Sequence, residues 1–321
     1  MDLGGVEERQ EQTLVSILQD SIAIPRSSPR TFSLITLILI FPLSFAVLAH
    51  TLFTHPILLQ LESEKSSSSS DPQKWMLLFL YQFVYLILLF TFSLLSTAAV
   101  VFTVASLYSS KPISFSSTLS AIPPVFSRLM HTFGWVSAIM ALYHLAFALV
   151  ILVLLLVAHK GIAFILLASL VVLGFVVIHI YIACVWHLAS VVTVLEPIHG
   201  LGAMNKSMEL LKGKTRMAAG LVLGYLAVCA VISLVFRAVV VQGGEEGWIG
   251  SGIVVKVVVG GVLVAALVVI NLTGLLVQSV FYYVCKNFHH ESIDKTALYD
   301  HLGGYLGEYV PLKSSIQMET L

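Results

Sequence analysis

The sequence predicts an all-α polytopic membrane protein, with six transmembrane helices arranged as three helical hairpins and amphipathic connector helices on the cytosolic side. Composition is the first reason: 58% of the 321 residues are hydrophobic and 11% are charged, against roughly 25% charged in a soluble domain. The mean hydropathy of +0.97 agrees. The second reason is length, because six apolar segments reach the ~20 residues that cross a ~30 Å hydrocarbon core at ~1.5 Å per residue. The third is punctuation, since most of the prolines and basic residues fall between the segments.

The chain divides into an N-terminal tail with an amphipathic helix (1–31), a membrane domain (32–285) and a C-terminal tail (286–321). In the tail, Leu14, Ile17, Leu18 and Ile22 follow the i, i+3, i+4, i+8 spacing of an amphipathic helix, which Pro25 stops before Arg30. With Asp2, Glu7, Glu8, Glu11 and Asp20 and no short apolar core, it does not read as a cleavable signal. Spans are expected at 32–53, 75–107, 134–157, 161–195, 218–241 and 252–285. The short turn at 158–160 makes the third and fourth an antiparallel pair. The second, fourth and sixth exceed thirty residues and would tilt or project, while their partners are near the minimum. Phe115, Leu119 and Ile122, stopped by Pro123 and Pro124 before Arg128, form a second connector. Leu201, Met204, Met208 and Leu211, ended by Gly213 before Arg216, form a third. A threefold unit of connector, breaker, arginine, short span and long span follows from this pattern.

Twelve basic residues (Arg9, Arg26, Arg30, Lys111, Arg128, Lys206, Lys212, Lys214, Arg216, Lys286, Lys295, Lys313) lie on one side and five (Lys65, Lys74, Lys160, Arg237, Lys256) on the other. The positive-inside rule then places both termini in the cytosol, and the serine-rich stretch from Glu62 to Pro72 becomes an exposed loop on the far side. The expected location is the endoplasmic reticulum, another endomembrane or the plasma membrane. Equal counts of 17 basic and 17 acidic residues give no global field for nucleic acid.

No HExxH, GxSxG, CxxC or phosphate-binding glycine loop occurs. No catalytic, cofactor or metal residue is assigned, and the protein is not expected to be an enzyme. Cys184, Cys229 and Cys285 read as reduced packing residues, with Cys285 also placed for palmitoylation beside Lys286. His179 and His187 stand roughly 80° apart around a helix and do not converge. In the sixth span Lys256, Gly260, Asn271, Gly274 and Gln278 share an arc of about 60°, and in the second Gln82 falls on one side with Ser93, Ser96, Thr97 and Thr103. These faces suit either a polar path between helices two and six or close packing with hydrogen bonds across the interface. Gly220 and Gly224 form a GxxxG expected to mark close helix packing.

The segment EPIHGLGAMNKSMELLKGK, Glu196 to Lys214, follows the fourth span. Pro197 ends the helix, and Lys206 and Glu209 are spaced as a helix-surface pair. Lys212, Lys214 and Arg216 suit anionic lipid headgroups. Glu196 is a buried or interfacial carboxylate for which a basic partner in the following loop is expected. The expected partners are membrane lipids and protein partners or further copies of the chain. In the tail, Tyr309 to Leu312 has the form of an endocytic signal, and Tyr299, Tyr305 and Tyr309 could hold the tail to the membrane face.

The stretch HIYIACVWHLASVVTVLEPIHGLGAMNKSMELLKGK and the tail HLGGYLGEYVPLKSS resemble an uncharacterised plant six-span membrane protein family over nearly the whole chain. The region from Glu196 to Gly213 is also distantly similar to the membrane domain attached to some bacterial glycerophosphodiester phosphodiesterases. The resemblance implies membrane architecture and a plant source, and carries over no catalytic residue.

The topology makes a direct prediction. Asn205 heads the sequon Asn205-Lys206-Ser207 on the cytosolic side, so it stays unglycosylated when the chain is inserted into microsomes; an endoglycosidase-sensitive shift traced to Asn205 would reverse the orientation.

Overall fold

The computed structural model of the protein describes residues 13–65, 72–109, 115–157, 161–242 and 252–291, and these contain helices and turns with no strand. Helix α1 (Leu14–Ala23) is followed by a 3-10 turn at Ile24–Arg26, where Pro25 stops it. The remaining helices are α2 (Pro29–Ile35), α3 (Phe41–Lys65), α4 (Pro72–Tyr108), α5 (Phe115–Leu156), α6 (Ile162–Leu195), α7 (Leu201–Leu211), α8 (Thr215–Phe236) and α9 (Ile253–Phe288). Six stretches are long and apolar enough to cross a membrane: Pro29–Thr54, Trp75–Tyr108, Phe115–Leu156, Phe164–Leu195, Thr215–Val241 and Ile253–Phe288. The protein is therefore a six-helix membrane protein. The tail tyrosines, Lys111, Lys160 and most of the serine-rich loop lie outside the described residues; its first residues continue α3 as far as Lys65.

Local chemistry explains two irregularities. The first span passes through a π-helical turn at Thr36–Ile40 just before Pro42, where the missing proline N–H and the ring disturb the regular ladder. The expected break at Pro123 and Pro124 does not occur: α5 runs continuously for 42 residues through both prolines. The second connector is thus fused to its span. Thr118, Ala121, Ile122, Val125 and Leu129 repeat along one buried face, and that packing outweighs the local preference, while both pyrrolidine rings point outward.

The core is densest at one end of the bundle, here called the connector end because α1, α7 and the last turn of α9 lie there, and it continues along the first, fifth and sixth spans through Leu48, Ile232, Phe236 and Val264. Its residues include Phe32 and Ile35 from α2, Leu94 to Tyr108 from α4, Leu129 and Phe133 from α5, Leu188 to Leu195 from α6, Leu210 and Leu211 from α7, and Leu276 to Cys285 from α9. The third and fourth spans diverge from it. No described residue after Val136 on α5 or before Ala183 on α6 is buried, and there the two helices pack on each other through Tyr143, Phe147, Phe175 and His179. In lipid this exposure costs little, because acyl chains are as apolar as the side chains they touch.

Several buried hydroxyls are satisfied within their own helices. Ser96, Thr97, Thr103 and Thr193 each donate to the carbonyl four residues earlier, at 2.6 to 2.9 Å. Ser96, Thr97 and Thr103 of α4 are thereby buried in packing surface with their donors already used.

If packing alone keeps α5 continuous, its two exposed prolines are a cost of up to about 3 kcal/mol each relative to alanine. The Pro123→Ala, Pro124→Ala double variant accordingly unfolds at a higher temperature in detergent, and a lower temperature would show that the prolines themselves shape the helix.

Candidate functional site: a buried carboxylate at the connector end

Pro197 disfavours the helical conformation of the residue before it, so Glu196 leaves α6 in extended geometry, φ −117° and ψ 153°. The chain then turns through Gly200, whose φ of +64° suits only glycine, and enters α7. The loop is gripped from α5. Arg128 donates to the carbonyl oxygens of Glu196 and Ile198, supplying cationic donors where a helix C-terminus leaves carbonyls unpaired. One turn further along α5, Thr132 Oγ1 lies 2.9 Å from Thr193 Oγ1 and accepts the Gly200 N–H at 2.8 Å.

The Glu196 carboxylate points to the sixth span. Its Oε1 accepts from the Tyr282 hydroxyl at 2.6 Å and lies 3.0 Å from Lys286 Nζ. Tyr282 and Lys286 are four residues apart on α9, so one face of the last turn presents both. The Glu196 and Lys286 side chains are 14% and 16% exposed. In so dry a setting each charge needs its partner, and neither is stable there alone. The partner comes from α9 rather than from the loop lysines expected to supply it.

A second bridge extends the cluster. Lys206 of α7 pairs with Glu291 at 2.5 Å instead of with Glu209, and Lys286 lies 3.7 Å from the other Glu291 oxygen. Burial pushes the Glu291 carboxyl up, but the Lys206 hydrogen bond and charge, with Lys286 and His289, hold it below the ordinary range. Burial lowers Lys206, and Glu291 outweighs that to raise it. The carboxylate's contribution is present above the ordinary glutamate pKa and lost as pH falls through the lowered value. The ammonium's contribution is present below the ordinary lysine pKa and lost as pH rises through the raised one. The bridge is therefore intact from about pH 5 to 10.

Other contacts fasten α7 to the spans: Ser207 Oγ donates to the Val185 carbonyl at 2.8 Å, and a His289 ring nitrogen meets the Leu210 carbonyl at 3.1 Å. Gly213 has a φ of +82°, and a Cβ there would stand 2.7 Å from the Phe288 ring. Lys214 Nζ lies 4.6 Å over that ring. Lys212 and Arg216 are exposed beside it.

The remaining polar candidates do not share one face. Gln82 Oε1 meets His50 Nε2 of the first span at 2.9 Å, with the imidazole stacked 3.9 Å from the Tyr85 ring. Asn271 accepts from Tyr225 of α8 at 2.8 Å and donates to Ser44 of α3 at 2.9 Å. Gln278 lies beside His187 of α6, and Lys256 is half-buried near the start of α9. Helices α4 and α9 meet elsewhere, where Tyr108 and Tyr283 stack at 4.5 Å. His179 does find another histidine, His144 of α5, with ring centroids 5.8 Å apart. Among the described residues no three His, Cys, Asp or Glu converge as a metal site.

Sequence reasoning missed Tyr282, Lys286, Arg128 and Thr132 as partners of this segment. The i, i+4 pair in the last turn of the sixth span was the available signal for the first two. The two threonines carry none.

Breaking a buried pair costs up to about 3–5 kcal/mol, and removing both charges costs less than the sum. In unfolding of the detergent-purified protein, Lys286→Met is therefore strongly destabilising and adding Glu196→Gln restores part of the loss. Strictly additive effects would contradict the pairing.

Comparison with curated proteins and with solved structures returns no match for the chain. One family model covers residues 1–321. The chain thus belongs, over its whole length, to a family described as a domain of unknown function, DUF8558.

Proposed function

We propose that the protein is a non-enzymatic scaffold of plant membranes, with both termini in the cytosol, that presents a rigid basic surface to anionic lipid headgroups and to protein partners. The observation carrying this reading is the anchoring of α7: Ala203, Met204, Ser207, Leu210 and Leu211 are buried against the spans, while Lys212 and Arg216 beyond its end are exposed. A cation held by a fixed backbone loses less freedom on meeting a phosphate than one on a loose tail. The resemblance of the His179 to Lys214 stretch and of the C-terminal tail to plant six-span proteins supports the setting. The polar residues expected to line a path between the second and sixth spans are paired with other spans, which supports packing over conduction.

Each basic residue near an anionic surface contributes about 1 kcal/mol, and 1.4 kcal/mol is tenfold in affinity. Native mass spectrometry of the full chain with phosphatidylserine therefore shows retention weakened by about tenfold or more in the Lys212→Ala, Lys214→Ala, Arg216→Ala variant. Equal retention by variant and parent would remove the lipid role.

A further inference from the structure

Helices α1, α6, α8 and α9 line a half-open cavity of about 330 Å3. This is the low end of the ~300–1,000 Å3 typical of small-molecule sites. The cavity stands where the GxxxG of α8 was expected to bring two helices together. A Cβ on Gly224 would meet no atom within 4 Å, and one on Gly220 would meet Leu14 of α1 at 3.3 Å. The glycines therefore open a notch in α8, and the amphipathic α1 lies along its edge with Leu14 and Leu18 on the cavity wall.

The wall is apolar and carries no Asp, Glu, Lys or Arg. Bringing a net charge into such a space costs far more than a few hydrogen bonds return, so an ionised ligand group is excluded. Polar side chains interrupt the wall at His187, Tyr225, Thr273 and Gln278; His187 and Gln278 lie beside each other, and Thr273 donates to the Val269 carbonyl of its own helix. The nearby Tyr225 hydroxyl is already committed to Asn271. A neutral imidazole has one donor and one acceptor, and a carboxamide has two donor hydrogens and an acceptor oxygen. Side by side on the cavity wall, the two groups offer donors and an acceptor to a ligand hydroxyl. On α9 the lining runs from Ile270 to Phe281, about 16 Å of helix at ~1.5 Å per residue. That is roughly half the ~30 Å hydrocarbon thickness, and Ala218 places the cavity within the first turn of α8, at the connector end.

We infer that this cavity binds an uncharged long-chain lipid bearing a hydroxyl, with its chain between α8 and α9 and its hydroxyl on His187 and Gln278. The inference is independent of the basic surface, which lies outside the cavity.

The test photolabels the full chain in phosphatidylcholine nanodiscs with a diazirine-bearing hexadecanol and with the matching diazirine hexadecane, and maps the adducts by mass spectrometry. One hydroxyl contact contributes about 0.5–1.5 kcal/mol, so the alcohol labels segments 218–228 and 270–281 about fivefold more than the hydrocarbon does. Unlabelled hexadecanol competes this labelling away. Gly224→Leu, whose side chain enters open space, removes it without lowering the unfolding temperature, and Gln278→Leu makes the two probes equivalent. Labelling of all lipid-facing spans alike, without saturation or preference for the alcohol, would mean that bulk lipid fills the notch and would overturn the inference. Competition is read on the unmodified chain, so the result stands even if a variant fails to fold.

Discussion

A carboxylate carried to the end of a long apolar helix must find a cation close by, because desolvating an unpaired charge costs several kcal/mol. Glu196 meets that demand with Lys286 and Tyr282 from the far end of the chain's membrane domain. The geometry of the connector end follows from it. Pro197 turns the chain out of α6, Arg128 and Thr132 hold the turn, and α7 is laid against the spans with Lys206 reaching Glu291. The third, fourth and sixth spans are thereby tied together at one level.

The two ends of the bundle differ in kind. At the connector end, side chains interdigitate, Glu196 is paired with Lys286, and Glu291 with Lys206. At the other end the third and fourth spans separate from the rest and rest on each other through an aromatic seam, with Tyr143 donating to the Phe175 carbonyl at 2.6 Å. Charge pairs and the loop-gripping hydrogen bonds are thus concentrated at the connector end, and the outer halves of the third and fourth spans rely on lipid as their solvent.

Much of the architecture was legible in the sequence because hydropathy and breakers are local properties. The six spans, the stop at Pro25 and the α7 connector each depend on a window of residues and on elementary helix sterics. The features that escaped depend on distant partners. Glu196 and Lys286 are joined across the whole fifth span, and nothing near Glu196 points to α9. Pro123 and Pro124 read as a stop because the buried face that overrides them is visible only once α4 and α6 are in place. Gly220 and Gly224 read as a contact surface, since spacing alone cannot separate a helix that approaches from a space left open. Asn271 and Gln278 lie on one arc as expected, yet their partners belong to three different helices.

The central claim is that the Glu196 junction makes α7 part of the membrane core rather than a mobile loop. Hydrogen–deuterium exchange on the full chain in nanodiscs reads this directly. The account predicts that the amides from Met204 to Leu211 exchange as slowly as those at the connector end of α6, well below the rate of an exposed helix. Exchange of α7 on the timescale of a free surface helix, with α6 protected, would contradict it.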